Sequence, residues 1–375
     1  MRLISFLGLF LLMQVVFAQK DSLSYKLDYE ADFRFRAEED WNSKRSDGSM
    51  RDDRTRFRYR ARVGFTYASQ KKYYVGLRMR TGDRRKQQDP QLTLGTAPAE
   101  FGTLAIGFEK AYFEYREKGF RLMLGKNTFP FHKNNELFWS DNVFPEGVYV
   151  GKTFSFKEKK LNDITLGAGH FIVEASGGSL DKDSYLTAFQ VSFNAFGEQL
   201  KLFPSFYQFG NINNVPDGEG TYQLDYSIAH LGGQFKSKKN IILELDLYRN
   251  LEDYSKNDSV PNILNAENDG FTASIAYGEL KKKGNWFYKI TYAYLQRYSA
   301  VDFMAQNDWA RWEYSNFNSP DGRLTNIQGT EWVVSYLLED NIKLTTKFYQ
   351  VEQIVAVGPS KENGTRIRFD IDIAF

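Results

Sequence analysis

Arg54, Arg56, Arg58, Arg60 and Arg62 occupy every second position of one stretch, and Arg34, Arg36, Arg78 and Arg80 repeat that spacing on either side. Alternate positions of a β-strand share one face, so each set presents its guanidinium groups in a row. Such a row attracts anions and does no covalent chemistry. Against lipid each arginine would cost about 2–4 kcal/mol near the midplane, so this face must meet water or carboxylates. Asp28, Glu30 and Asp32 stand in the charged phase of the preceding stretch and can supply those carboxylates. Two readings follow from the spacing. The row is a solvated wall neutralised by neighbouring acids, or it is a basic ladder aimed into an aqueous space.

Other chemistries are poorly supplied. His132, His170 and His230 are scattered, with no metal-ligand spacing and no legible Ser-His-Asp arrangement, so no catalytic residue and no metal site is expected. The chain has no cysteine, which excludes disulfides, thiolate metal sites and a lipidated cysteine. Gly210, Gly218 and Gly220 lie near Asp217 and Glu219, but the spacing is neither a phosphate loop nor an EF-hand. Lysine-rich turns such as Lys281-Lys282-Lys283 read as solvated edges, not as a nucleic-acid site. Neither a cofactor nor a nucleic-acid partner is called for.

The elements that position the arginines alternate in the same way. Tyr25, Leu27, Tyr29, Ala31, Phe33 and Phe35 oppose Lys26, Asp28, Glu30, Asp32, Arg34 and Arg36. Phe57, Tyr59, Ala61, Val63, Phe65 and Tyr67 oppose the five arginines of the next strand. At the end of the chain, Ile367, Phe369, Ile371, Ile373 and Phe375 oppose Arg366, Arg368, Asp370 and Asp372. Short turns, near Ser69–Lys72, Glu117–Gly119, Lys157–Lys160, Phe196–Gly197, Lys236–Lys239, Leu280–Gly284 and Glu339–Asp340, alternate with long polar connections. Strands bounded this way number about sixteen, an even count that suits an antiparallel transmembrane barrel with short periplasmic turns and long outer loops. If Tyr25 starts in the periplasm, the phase of short and long connections returns the C-terminus to that side.

Composition agrees with that architecture. Mean hydropathy is -0.51, as in a soluble protein, yet aromatics reach 16% with 23 Tyr and 32 Phe. Strands that alternate lipid-facing and lumen-facing residues reconcile the two values, because they show no long apolar run while aromatic girdles mark both interfaces. Basic and acidic residues nearly cancel, 49 against 47, so global charge names no partner. Residues 1–18 read as a cleaved export leader: Met1-Arg2, an apolar run to Phe17, and Val16-Phe17-Ala18 before Gln19. No later segment approaches the ~18 apolar residues of a spanning helix. The remainder, 19–375, reads as one all-β domain. A terminal strand ending in the aromatic Phe375 resembles the C-terminal signature of bacterial outer-membrane barrels, which implies recognition by the barrel-assembly machinery.

The connection 127–147 is the most unusual. Phe129-Pro-Phe-His-Lys-Asn-Asn-Glu-Leu-Phe-Trp-Ser-Asp-Asn-Val-Phe-Pro-Glu-Gly147 mixes aromatics with polar groups. It lies where general porins place the loop that folds inward and narrows the channel. The run Trp139 to Gly147 resembles the Trp-Asp-Asp/Asn…Pro-Glu-Gly segment of the putative porin family of Bacteroidota outer membranes. The resemblance implies a general-porin-like diffusion pore without catalytic activity. It carries Trp139, Asp141, Asn142, Pro145, Glu146 and Gly147 over as the anchor of a constriction loop; Ser140 departs from the pattern, where an acid would fit. Glu136, Asp141 and Glu146 on an inward loop would face the arginine ladder and set a transverse field that orders dipolar solutes.

The sequence therefore leads to a water-filled outer-membrane channel for small hydrophilic solutes with a mild anion preference. The expected surroundings are outer-membrane lipid and lipopolysaccharide, and the expected assembly is a homotrimer. An exporter of acidic polysaccharide, resembling alginate export proteins, would also line its lumen with arginine, but needs a wider basic channel and no narrowing loop. A barrel enzyme needs a His-centred constellation at the rim.

Overall fold

The computed structural model describes residues 24–83, 87, 90–95, 102–158, 160–214, 222–305, 308–309 and 324–375. The expected leader, 1–18, and the cluster Asp217 to Gly220 lie outside them.

Alternation sets the fold. Strands run β1 (Tyr25–Lys44), β2 (Arg54–Ser69), β3 (Tyr73–Thr81), β4 (Leu92–Thr93), β5 (Ile106–Glu117), β6 (Phe120–Lys126), β7 (Glu146–Ser155), β8 (Leu161–Glu174) and β9 (Ser184–Ala195). They continue as β10 (Leu200–Asn213), β11 (Gln223–Lys236), β12 (Ile241–Asn250), β13 (Asp269–Gly278), β14 (Trp286–Leu295), β15 (Ile327–Glu339), β16 (Ile342–Gln353) and β17 (Asn363–Ala374). Apart from the two-residue β4, which pairs on β2, each strand is antiparallel to its sequence neighbours, and β17 returns to pair with β1. Sixteen strands thus close an antiparallel barrel, and closure removes the sheet edges that would otherwise seek partners. No helix among the described residues is long and apolar enough to cross a membrane.

One face of the sheet carries exposed apolar side chains, such as Phe57, Val63, Phe65, Leu243, Leu245, Leu247, Phe369 and Ile371. The opposite face carries the arginines, and there Arg36, Arg58, Arg60, Arg78, Arg80, Asp246, Thr272 and Asp370 are shielded from solvent. This is the outward and inward division that lipid on one side and a polar lumen on the other require. An aromatic belt gathers where the short turns lie, including Tyr73 against Tyr115 (5.3 Å between ring centroids) and Trp286 against Tyr336 (4.6 Å). The short turns have local causes. Lys118 and Gly119 both take positive φ, the two-residue hairpin that matches strand twist.

Two boundaries differ from the sequence reading. β1 continues to Lys44, beyond the alternation read from Tyr25 to Arg36, because Glu38 and Asp40 are lumen-facing partners of Arg56 and Arg54 in the strand register. β7 begins at Glu146, so Glu146 and Gly147 are strand residues and the long connection ends at Pro145.

Candidate functional site: the luminal wall and the loops that cross it

The ladder is built by register. β1 sets Asp32, Glu38 and Asp40 opposite Arg62, Arg56 and Arg54, while Arg34 and Arg36 lie opposite Arg60 and Arg58. Directly opposed like charges repel. The other neighbour of β1 offsets this, since β17 places Asp372 beside Arg34 and Asp370 beside Arg36. The resulting pairs are close: Arg34 Nε to Asp372 Oδ1 2.5 Å, Arg36 Nε to Asp370 Oδ1 2.6 Å, Arg54 Nη2 to Asp40 Oδ2 2.7 Å. Asp32 takes Arg60 Nη2 at 2.8 Å and Arg62 Nε at 2.7 Å, and Glu109 takes Arg78 Nε at 2.5 Å and Arg80 Nε at 3.6 Å. Glu38 pairs with Arg56 and lies 3.8 Å from Arg58 Nη1, whose Nη2 donates to the Gln91 carbonyl. Arg366 and Arg368 extend the same network to Asp40 and Asp308. Arg58 and Arg60 are only 6% and 4% exposed. The structure therefore brings all nine ladder arginines together on β1, β2 and β3, and ties them to carboxylates as it does so.

The connection 127–145 leaves the wall between β6 and β7 at two facing glycines. Gly125 has φ +93, and Gly147 lies opposite it, with a Cβ position only 2.2 Å from the His170 carbonyl oxygen. From there the chain travels along luminal side chains. Gln190 on β9 exchanges hydrogen bonds with the His132 backbone, accepting at 2.8 Å and donating at 3.0 Å. The Asn135 side-chain amide donates to Asp246 Oδ2 on β12 and Thr272 Oγ1 on β13, both at 2.8 Å, and the Asn134 amide donates to Asp246 Oδ2 at 3.1 Å. Phe138 stacks on Tyr248 at 5.2 Å and lies 4.7 Å from Tyr207. Trp139, 2% exposed, stacks on Phe129 at 4.4 Å and donates from Nε1 to the Val143 carbonyl. Aromatic burial and strand-borne polar anchors together hold the loop against β9, β12 and β13.

Its motif residues divide by role. Glu136 Oε2 accepts from the Asp141 amide at 3.0 Å and from Ser140 Oγ at 3.4 Å, closing a tight turn. Ser140, where the family pattern would fit an acid, also accepts from the Asn142 amide at 3.1 Å. Asp141 is exposed and pairs with Lys133 Nζ at 2.5 Å. The Pro145 carbonyl accepts from the Asn127 amide at 3.2 Å. Glu146 pairs with Lys126 across β6 and β7 at 3.5 Å, apart from the turn that holds Glu136. The sequence placed Glu136, Asp141 and Glu146 in one group; geometry keeps only the first two together.

A second connection packs against the first. Ser140 N donates to the Met304 carbonyl at 2.8 Å, latching 127–145 to the segment after β14. Further along that segment, Asp308 pairs with Arg368 and lies 3.6 Å from Arg36 Nη1, and its carbonyl accepts from Arg366 Nη1 at 2.6 Å. Burial would raise the Asp308 pKa; Arg368, Arg36 and Lys347 outweigh it and hold the carboxyl well below its ordinary 3.8. Trp309 lies 5.9 Å from Tyr349 on β16. The sequence reading did not single out these residues. Between the loop, Asp308-Trp309 and the wall of β14, β15 and β16 lies a cavity of about 370 Å³, whose charged lining is Lys133, Glu136, Asp141, Lys289, Asp308, Glu331 and Lys347.

A Ser-His-Asp line does arise where the sequence offered none. His230 approaches Ser205 Oγ at 3.4 Å through Nδ1 and Asp246 Oδ1 at 3.0 Å through Nε2. The buried imidazole stacks on Tyr248 at 4.7 Å and lies parallel to Phe138 at 6.1 Å. It is an anchor under the loop. Among the described residues no group of three or more metal-ligating side chains occurs.

Comparison with known proteins matches the family described as "Putative porin" over residues 42–259, more than half the chain. The chain belongs to that family. The barrel is also similar to solved porins. A Rhodopseudomonas blastica porin triple mutant aligns with TM-score 0.52 and 11% identity over 93% of this chain and 100% of that one. Salmonella typhi OmpF, solved with daunomycin, gives 0.53 and 10% over 93% and 98%; Pseudomonas putida OprB gives 0.54 and 10% over 93% and 94%. At such identity the likeness carries the porin barrel fold and nothing finer. No protein of the curated set matches.

Proposed function

We propose that the chain forms a water-filled channel for passive diffusion of small hydrophilic solutes across the bacterial outer membrane, without catalytic activity. The observation that carries this reading is the loop 127–145, anchored on luminal side chains of β9, β12 and β13. A loop that crosses the lumen leaves a restricted aqueous path, and an exporter of acidic polysaccharide would need that path wide and continuously basic. Charge preference is mild and toward anions, because the ladder arginines are compensated by carboxylates and only Arg34, Arg54, Arg56 and Arg62 keep appreciable exposure. Both termini lie in the periplasm, on the side of the short turns. The exposed Phe375, whose amide donates to the Ala31 carbonyl, gives the assembly machinery its handle; lipid and lipopolysaccharide contact the apolar outer face, and three barrels associate.

Liposome swelling with neutral solutes of graded size tests the channel. Small sugars should enter and larger ones be excluded. Deleting Asn134–Ser140 should raise single-channel conductance and the size limit together. Impermeable liposomes containing folded barrel would end the channel reading, and an unchanged size limit would end the role of the loop.

A further inference from the structure

We infer that the outer face of β7–β10 holds an anionic phospholipid of the periplasmic leaflet, with an acyl chain in an apolar recess and the phosphate at Lys152. The inference rests on the orientation given above, with the short turns in the periplasm, and goes beyond general contact with lipid.

The recess is built by register. Val150, Ala168, Phe189 and Phe206 stand side by side across the four strands. One level nearer the short turns, Lys152 stands beside Leu166, and Leu166 beside Val191. The ladder between β9 and β10 pairs Leu202 with Phe193 and Ser205 with Gln190, but skips Phe203 and Pro204. Proline has no N–H to give a ladder, and Ala168 adds only a methyl group to the floor. Leu166, Phe189 and Phe206, all exposed, rise around that floor. The result is a recess of about 560 Å³ with apolar walls, inside the range of about 300–1,000 Å³ usual for ligand sites. It opens sideways from the face that meets hydrocarbon, so its natural occupant is a hydrocarbon chain.

Lys152 gives the recess a charged end. Alternation with Val148 and Val150 points it outward, on a face where lysine is tolerated only near an interface. Its Nζ donates to the Lys118 carbonyl at 2.9 Å and lies 5.8 Å from the Phe154 ring centroid, so it reaches the rim of short turns. An ammonium has three donors, and among the described residues this one gives a single hydrogen bond. Lys118, Lys157 and Lys160 on the adjoining turns make no salt bridge among the described residues, nor do Lys238, Lys239 and Lys282 further along the rim. The lumen is the opposite case, since the ladder arginines there are tied to carboxylates. A cationic rim beside an apolar recess matches a molecule with a phosphate at one end and a hydrocarbon chain at the other. A zwitterionic lipid brings its own cation to the same lysines, so charge favours the anionic one. An acidic protein would meet the lysines but leave the recess unfilled.

The test uses the full folded barrel in detergent micelles, with retained lipid counted by native mass spectrometry. Dioleoylphosphatidylglycerol is the anionic probe and dioleoylphosphatidylcholine the zwitterionic one. The anionic lipid should bind about fivefold more tightly, the scale of one lysine at an anionic headgroup. Lys152→Gln should abolish that preference. Ala168→Phe keeps every charge and fills the recess, so it should lose both lipids, and it covers the case in which the lysine variant does not fold. Equal retention of the two lipids by the wild-type barrel would overturn the inference, as would retention unchanged in both variants. Retention of lipopolysaccharide in place of phosphatidylglycerol, lost in Lys152→Gln, would overturn it too and would place the short turns outside the cell. None of these counts depends on permeability, so the lipid site and the channel stand or fall separately.

Discussion

Asp246 is fully buried, and its carboxylate accepts from Asn134, Asn135, Thr272 and His230. Two of those donors belong to the crossing loop, so one carboxylate ties it to the wall. Asp246→Asn keeps the shape but turns half of the acceptor into a donor facing other amides. Leaving buried groups unsatisfied costs about 1–3 kcal/mol each. The loop should detach before the barrel does, giving a noisier channel of higher conductance while the folded form persists on a gel. Conductance equal to wild type would show that the aromatic contacts of Phe138 and Trp139 hold the loop unaided. The same scale explains what the motif glycine does. A side chain at Gly147 would meet the backbone of His170 and Phe171, so glycine there allows β7 to pair closely with β8 where the loop rejoins the wall.

Two connections, not one, pack on the charged face of the wall, and they were unequally legible. The 127–145 connection stood out because aromatics at that density have no use in a solvated loop. The segment after β14 carried no such signal: Asp308 is an ordinary acid in its local sequence and gains meaning only when folding brings it to Arg36 and Arg368, far away along the chain. Lys289 and Lys347 escaped notice for a related reason. Lys289 is the single charge of β14 and Lys347 shares β16 only with Lys343 and Glu352, and period-two alternation gives their face without giving their neighbours. Docking of Asp308 has a pH signature. Because its folded pKa is depressed below 3.8, its contribution is present above that value and lost only as pH falls through the lower folded value. Conductance should therefore stay flat from pH 7 to about 4.5 and change only in stronger acid, whereas Asp308→Asn should show the released state at neutral pH. A wild-type transition near pH 5–6 would mean that another group holds this segment.

At the scale of the molecule, strand count, alternation and the order of short and long connections were readable, because lipid outside and a polar lumen inside impose period two on every strand. Which luminal charges remain open was not readable, since it depends on cross-strand register and on loops that fold back. The closing strand shows both halves of that lesson. Phe369 and Ile371 point outward and are 51% and 42% exposed, as alternation requires. Asp370 points inward, which taken alone makes Asp370→Asn harmless; yet it is 4% exposed and pairs with Arg36 at 2.6 Å and Arg368 at 3.3 Å. Removing one partner of a buried pair costs about 3–5 kcal/mol, so this variant should assemble but lose its folded mobility at a lower temperature. Ile371→Asp should do more. It puts a carboxylate on the lipid face of the strand that seals β17 to β1, opposite Phe35, and closure is the last step that removes two open edges. On gels that separate folded from heated barrels, Ile371→Asp should give no folded band, while Asp370→Asn gives one that melts early. A folded band of normal stability for Ile371→Asp would place that side chain away from lipid and reverse the outward and inward assignment of β17.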